Sequence, residues 1–416
     1  MDILRIATAG SVDDGKSTLI GRLLHDTGSI TNDKLEAVAA TSRRKGLDFV
    51  DLSLLTDGLV AEREQGITID VAHIYFATGK RKYIIADTPG HFEYTRNMIT
   101  GASASEASII LIDARQGVVE QTRRHLYIAS LLRLNHVIVC INKMDLVEFA
   151  EDRFVLIRNS IKALADHTAF EGSLHFIPVA AKEGDNVVQR SRRMPWYNGN
   201  TLLEHLEQLP VNAAKNQLPT RFAVQLVIRP HTDVHHDFRG YAGKLLSGVL
   251  RVGQEVLVLP SLRSSRIKAL WHSQEEIQQA EAGQSVTIEL DDDVDLGRGN
   301  MIVPADAAFV ETKHLEAVLT WMDEQPLTSG KTFLLQHGVH RVKARVTALQ
   351  NRIDLASMEE TTSVASFTLN DIGRVQIKTA APVFPDTYQQ NRHNGAFILI
   401  DEYTNNTVAV GFINAF

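Results

Sequence analysis

Apolar and polar positions follow two rhythms along this 416-residue chain. In the first half, short runs are apolar at nearly every position: Ile3 to Ala9, Lys82 to Ala86, Ser108 to Asp113, His136 to Ile141 and Phe176 to Val179. Between them lie stretches with helical spacing, at Thr18 to Leu24, Thr95 to Gly101, Thr122 to Arg133 and Thr201 to Gln208. Continuous Ile/Val-rich runs suit strands covered on both faces, and their alternation with helices predicts an open, mostly parallel sheet. Residues 26 to 65 are polar and charged with weak periodicity, and Gln65 to Val71 reads as the start of a further strand. Beyond the polar linker Pro210 to Pro219 the rhythm changes. Short alternating segments such as Phe222 to Val227 and Glu255 to Leu259, broken by Gly and Pro, predict β-barrels. A second break at Pro304 to Lys313 divides them in two. The expected plan is an α/β domain over 1–212 with helices on both sheet faces, then barrels over 213–308 and 309–416.

Chemistry enters at the turns that follow the strands. Gly10-Ser11-Val12-Asp13-Asp14-Gly15-Lys16-Ser17 fits G-x-x-x-x-G-K-[ST] between a strand and a helix that opens with Thr18. There, glycines let backbone N–H groups turn inward and the helix N-terminus adds partial positive charge, which together cradle a phosphate chain. Lys16 is expected to reach the β- and γ-phosphates, and the Ser17 hydroxyl to hold Mg²⁺. Asp87-Thr88-Pro89-Gly90 ends another strand, placing a carboxylate to orient the Mg²⁺ shell and a glycine N–H near the γ-phosphate. Thr68 is expected to join the metal only while that phosphate is present, making 26 to 69 and 87 to 100 candidates for segments that order on the nucleoside triphosphate and are released on hydrolysis. His91, next to Gly90, is the candidate for positioning the attacking water. Val12 and Ile67 are read as an apolar gate before it.

Asn142-Lys143-Met144-Asp145 reads the base. The Asp145 carboxylate can accept from N1–H and the exocyclic amine of guanine, donors that adenine lacks at those places. Asn142 ties this turn to the phosphate loop and the Lys143 stem covers the base. All these clusters fall at carboxyl ends of strands, where open parallel sheets bind ligands.

Composition narrows the partners. A net charge of −7 argues against a standing nucleic-acid or anionic-membrane surface. No apolar run approaches about 18 residues, the length that crosses a bilayer as a helix. The lone Cys140, in an apolar run, is expected to be a buried thiol, and the first strand begins too close to Met1 to leave room for a signal peptide. A cytoplasmic protein is expected. The basic clusters Arg43 to Lys45, Lys80 to Lys82 and Arg190 to Arg193 read as solvated loops, as does His231 to Asp237. Gly330-Lys331-Thr332 lacks the first glycine of a phosphate loop and reads as a turn.

Gly10 to Ser17, Gly66 to Ile69, Asp87 to His91 and Asn142 to Asp145 resemble the translation-factor class of GTPases. Longer stretches (Gly10 to Asp26, Ala61 to Ala72, Ala86 to Ser103, Gln121 to Leu132, Gly184 to Val188, Phe238 to Gly243 and Asn391 to Asp401) resemble the large subunit of bacterial sulfate adenylyltransferase. The resemblance implies an elongation-factor-Tu-like body that binds a small catalytic subunit. GTP hydrolysis would there drive formation of adenosine 5′-phosphosulfate and pyrophosphate from ATP and sulfate. That family usually has Ser-Ala in the loop facing guanine O6, where this chain has Ala180-Ala181. Some relatives carry a fused kinase; with no second nucleotide motif in the sequence, that activity is not expected. The alternative is an elongation-factor-like GTPase that delivers aminoacyl-tRNA.

Overall fold

The computed structural model describes residues 2–44, 46, 50–55, 71–89, 95–168, 170–210, 215–229, 238–273, 275–354, 359–362 and 364–416. The chain divides into two compact units, the first running through Val211 and the second comprising Asn212–Asp354 and Glu359–Phe416.

The N-terminal unit holds β1 (Ile3–Ala9), α1 (Lys16–Asp26), α2 (Asn32–Arg44), β2 (Ala72–Ala77), β3 (Lys82–Asp87), α3 (Thr95–Ser103) and β4 (Ala107–Asp113). It continues with α4 (Glu120–Leu131), β5 (His136–Asn142), α5 (Glu151–His167), β6 (Ser173–Pro178) and α6 (Leu202–Gln208). The strands form one sheet in the order β2-β3-β1-β4-β5-β6. Only β2 runs antiparallel to its neighbour. Every residue of β4 is buried, as the continuous apolar run requires. Leu19, Ile20 and Leu23 of α1 pack into a core with Leu4, Ile6 and Ile138. Cys140 lies fully buried in β5, where burial pushes its thiol up to about 12.

Two expectations are corrected. Part of the weakly periodic stretch is α2, and Arg43 and Arg44, read as solvated loop residues, form its last turn. Its buried positions are only Val38 and Ser42, so the apolar stripe is too thin to stand out, and the Ser42 hydroxyl donates to Val38 O at 2.9 Å while accepting from Asp51 N–H at 2.9 Å. Arg81, read as a solvated loop residue, is buried. It donates to Leu206 O (2.9 Å) and Leu209 O (2.7 Å) at the end of α6 and pairs with Asp2 at 2.8 Å. Residues 65–70 of the further strand read at Gln65 to Val71, and the loop His231 to Asp237, lie outside the described residues.

In the C-terminal unit, strands Arg221–Ile228, Gly240–Ser247, Glu255–Leu259, Arg263–His272, Ser285–Leu290 and Met301–Pro304 close into a ring. A second ring joins Thr312–Trp321, Thr332–His337, His340–Leu349, Ile372–Val383, Ala396–Ile400 and Thr407–Ala415. Closure removes exposed strand edges, and each ring surrounds its own apolar core. A buried polar joint links them. Asp386 accepts from Arg221 at 2.8 Å and from Asn391 and Asn394 at 3.0 Å each, while Asn391 also donates to the Ser247 hydroxyl at 2.8 Å. Gly330 lies in a turn before its strand, as read.

Three histidines meet at the amino ends of β5 and β6. Register sets His136 beside Ser173, whose hydroxyl lies 2.7 Å from His136 Nδ1 and 3.1 Å from His175 Nε2. His205 of α6 packs on His175 with ring centres 4.0 Å apart. Burial lowers all three pKa values, with repulsion from His175 adding at His136 and His205, and brings His205 from 6.5 to about 4. The folded unit therefore binds fewer protons than the unfolded chain between those values. The stability these groups contribute is fully present above pH 6.5 and is lost as pH falls towards about 4. Urea unfolding of wild type should show a loss on the order of 1 kcal/mol from these groups between neutral and mildly acid pH, solvent screening included. His205→Gln should remove a large part of that slope; an unchanged slope would refute the assignment.

Candidate functional site

Five loops converge at the carboxyl ends of the parallel strands. The first follows β1 and is held by its own side chains. Ser11 N–H donates to Asp14 Oδ2 at 2.5 Å, and Lys16 Nζ donates to Gly10 O at 2.9 Å and Ser11 O at 3.1 Å. Burial pushes the Lys16 ammonium below the usual lysine range, against the pull of Asp87, Asp14 and Asp13. Burial also raises the Asp14 carboxyl, opposed by the Ser11 N–H and by Lys16. Asp13 sits in the left-handed region, φ 68°. Val12 is exposed, and Ser17 and Thr18 lie half-buried in the first turn of α1.

Gly15 shows why this loop needs a glycine. Its φ is +92°, and a Cβ there would stand 2.6 Å from Asn142 Nδ2. That approach lets Asn142 serve two loops at once. Its Nδ2 donates to Asp14 O at 2.8 Å, and its Oδ1 accepts from Ala181 N–H at 3.0 Å. The Ala180 N–H goes to Asp185 O at 3.3 Å. Arg22 of α1 adds a second tie, donating to Ala181 O at 3.2 Å and to Lys182 O.

Asp87, at the end of β3, is buried and accepts from the Thr8 hydroxyl at 2.8 Å. Thr88 and Pro89 are buried behind it, and the Thr88 hydroxyl donates to Thr8 O. Met144 is buried, its N–H on Val179 O at 3.2 Å, which leaves Lys143 and Asp145 on its two sides to face outward. Lys143 Nζ reaches Asp13 O and lies 3.0 Å from Asp113. A cavity of about 410 Å³ results, lined by Gly15, Thr18, Asn142, Lys143, Asp145 and Ala181. The loop after β1 and the turn after β5 thus share one cavity. Thr68, Gly90, His91 and Ile67 lie outside the described residues, as does most of the segment between α2 and β2.

Sequence reading missed several groups here. Asp113 ends β4 and Arg115 follows it, and the only hint was an acid ending a strand. His125, on α4, is fully buried; burial, with Lys16 and Arg124 adding, pushes it down to about 3, so it stays neutral beside the phosphate loop. Among the described residues, no cluster of three or more His, Cys, Asp or Glu forms a ready metal cage. No described helix is long and apolar enough to cross a membrane.

An α/β unit with this loop order, followed by two barrels, defines a GTPase of the elongation-factor-Tu class. The elongation factor Tu GTP-binding domain family matches residues 1–216, and the GTP-eEF1A C-terminal domain-like family matches residues 314–414. The chain is 48% identical to sulfate adenylyltransferase subunit 1 of Cellvibrio japonicus over 99% of its own length and 86% of the relative's. With the Teredinibacter turnerae protein of that name the identity is 49%, over 99% and 87%. The bifunctional enzyme CysN/CysC of Mycobacterium tuberculosis is 46% identical over 99% of this chain and 67% of that one. This chain belongs to the sulfate adenylyltransferase subunit 1 family.

The Gly15 approach yields a direct test. Gly15→Ala puts a side chain on a left-handed backbone and against the Asn142 amide, and should cost about 2 kcal/mol in unfolding free energy. Thermal unfolding of the purified variant beside wild type measures it, and an unchanged midpoint would contradict the geometry described.

Proposed function

We propose that this chain binds GTP with Mg²⁺, hydrolyses it, and uses the cycle to drive adenylyl transfer from ATP to sulfate on a smaller catalytic partner subunit in the cytoplasm. The observation that carries the guanine-nucleotide part is the single cavity in which Asp145 and Lys143 stand across from Gly15 and Thr18. The partner and the sulfate chemistry are supported by the names of the relatives, which are about half identical over nearly the whole chain.

In this reading Gly10 to Thr18 wrap the phosphates, and Lys16 exchanges the loop carbonyls it now holds for phosphate oxygens. Asp145 takes the guanine edge while Asn142 keeps its loop in register with the phosphate loop. Ser17 and Asp87 offer hard oxygen donors, and the Thr8 hydroxyl fixes one Asp87 oxygen, a donor set that fits Mg²⁺. When bound, the ion would neutralise charge on the phosphates. Thr68 is assigned to the same ion, His91 to orienting the attacking water, and Val12 with Ile67 to gating it. Hydrolysis then releases the loops that Thr68 and Gly90 hold, and that release is what the partner reads.

The test mixes this chain with a small subunit from a close relative's operon, ATP and sulfate, with and without GTP. GTP-stimulated adenosine 5′-phosphosulfate formation that disappears in Lys16→Ala supports the proposal. Tight binding of aminoacyl-tRNA with no such stimulation would replace it with the delivery-factor reading. Asp145→Asn should shift preference from guanine to xanthine nucleotides, because the double acceptor becomes a mixed amide. Persistent guanine preference in competition binding would remove Asp145 from base reading.

A further inference from the structure

Asp113 has no part in the phosphate or base contacts just assigned, yet more contacts converge on it than on any base-reading residue. It ends β4, pairs in register with Asn142 on β5, and is 1% exposed. One oxygen accepts from Arg115 N–H at 2.9 Å and Nε at 3.1 Å. The other accepts from Arg115 at 2.6 Å through the terminal guanidinium nitrogen and lies 3.0 Å from Lys143 Nζ. Burial alone would raise its pKa, but the bonds from Arg115 and Lys143 outweigh it and hold the carboxyl at about 2.

We propose that Asp113, braced by Arg115, is a positioning residue for the guanine base, anchoring the Lys143 ammonium so that the lysine stem is strung along the cavity wall. This rests on the guanine-nucleotide reading above and deepens it. Lys143 has a left-handed backbone, φ 61°, and its ammonium is held at two points, Asp13 O and Asp113. A chain fixed at both ends has little rotamer freedom left, so the apolar stem is ordered before any base arrives. A carboxylate is needed because a half-buried ammonium without a counter-charge would turn out to solvent. Arg115, besides bonding Asp113, lies within electrostatic reach of Asp145 and Asp13.

The test measures dissociation of fluorescent GDP and IDP analogues from the full chain. Asp113→Asn should speed both by about tenfold, equally, because the stem supports the ring face and not the 2-amino group that IDP lacks. Lys143→Met should do the same, and adding Asp113→Asn to Lys143→Met should change the rate by less than about twofold, since the carboxylate acts through the ammonium. Should Asp113→Asn fail to fold, Arg115→Met, with a half-exposed side chain, reads the same brace at smaller amplitude. Unchanged dissociation in the folded variants, or a full effect of Asp113→Asn without the lysine, overturns the proposal. Wild type that binds neither analogue would instead overturn the guanine-nucleotide reading beneath it.

Discussion

The side-chain amide of Asn142 is the constraint on which the site depends. It is buried, and both of its ends are satisfied by backbone from loops that are far apart in sequence, Asp14 on one side and Ala181 on the other. A buried amide with one end unmet costs about 1–3 kcal/mol, so the three loops are held together or not at all. That demand passes outward. Gly15 must lack a side chain to admit the amide, and Asp14 must turn its carboxylate back to Ser11, which fixes the loop ahead of the helix. Arg22 repeats the tie from the helix side, so α1 and the loop after β6 share two independent bonds.

What could be read in the sequence was whatever is local. A strand, a glycine-bearing turn and a helix in succession announce themselves within 20 or so residues, and so did the phosphate loop, the turn after β5 and the change to barrel rhythm. What depends on register was invisible. Asp113 matters because β4 and β5 align it with Asn142, and His125 because α4 lies behind the loop; neither fact is written near those residues. Arg81 was misread for a related reason. A basic tripeptide looks solvated until α6 closes over it and offers two carbonyls. The helix α2 escaped because so little of it is buried that propensity, not pattern, had to form it.

The second unit solves a different problem. Two rings with separate apolar cores share a small apolar cluster, Leu259, Met301 and Val303 against Phe309 and Phe384, and a polar joint adds direction where burial alone would not. Asp386 gathers an arginine from one ring and two asparagines from its own, all buried, so loss of any member would leave an unmet group among apolar neighbours. Asn391 and Asn394 were part of the family resemblance; their place at this joint gives that stretch a physical reason.

The lone thiol has a practical bearing. Because Cys140 is sealed inside β5 and its proton is held far above neutrality, alkylating dyes have nothing to attack in the native fold. Any cysteine engineered onto the surface would be the sole labelling point. Fluorophores or spin probes could then be set on chosen elements one pair at a time, with no native residue sacrificed, to follow distances through a turnover cycle.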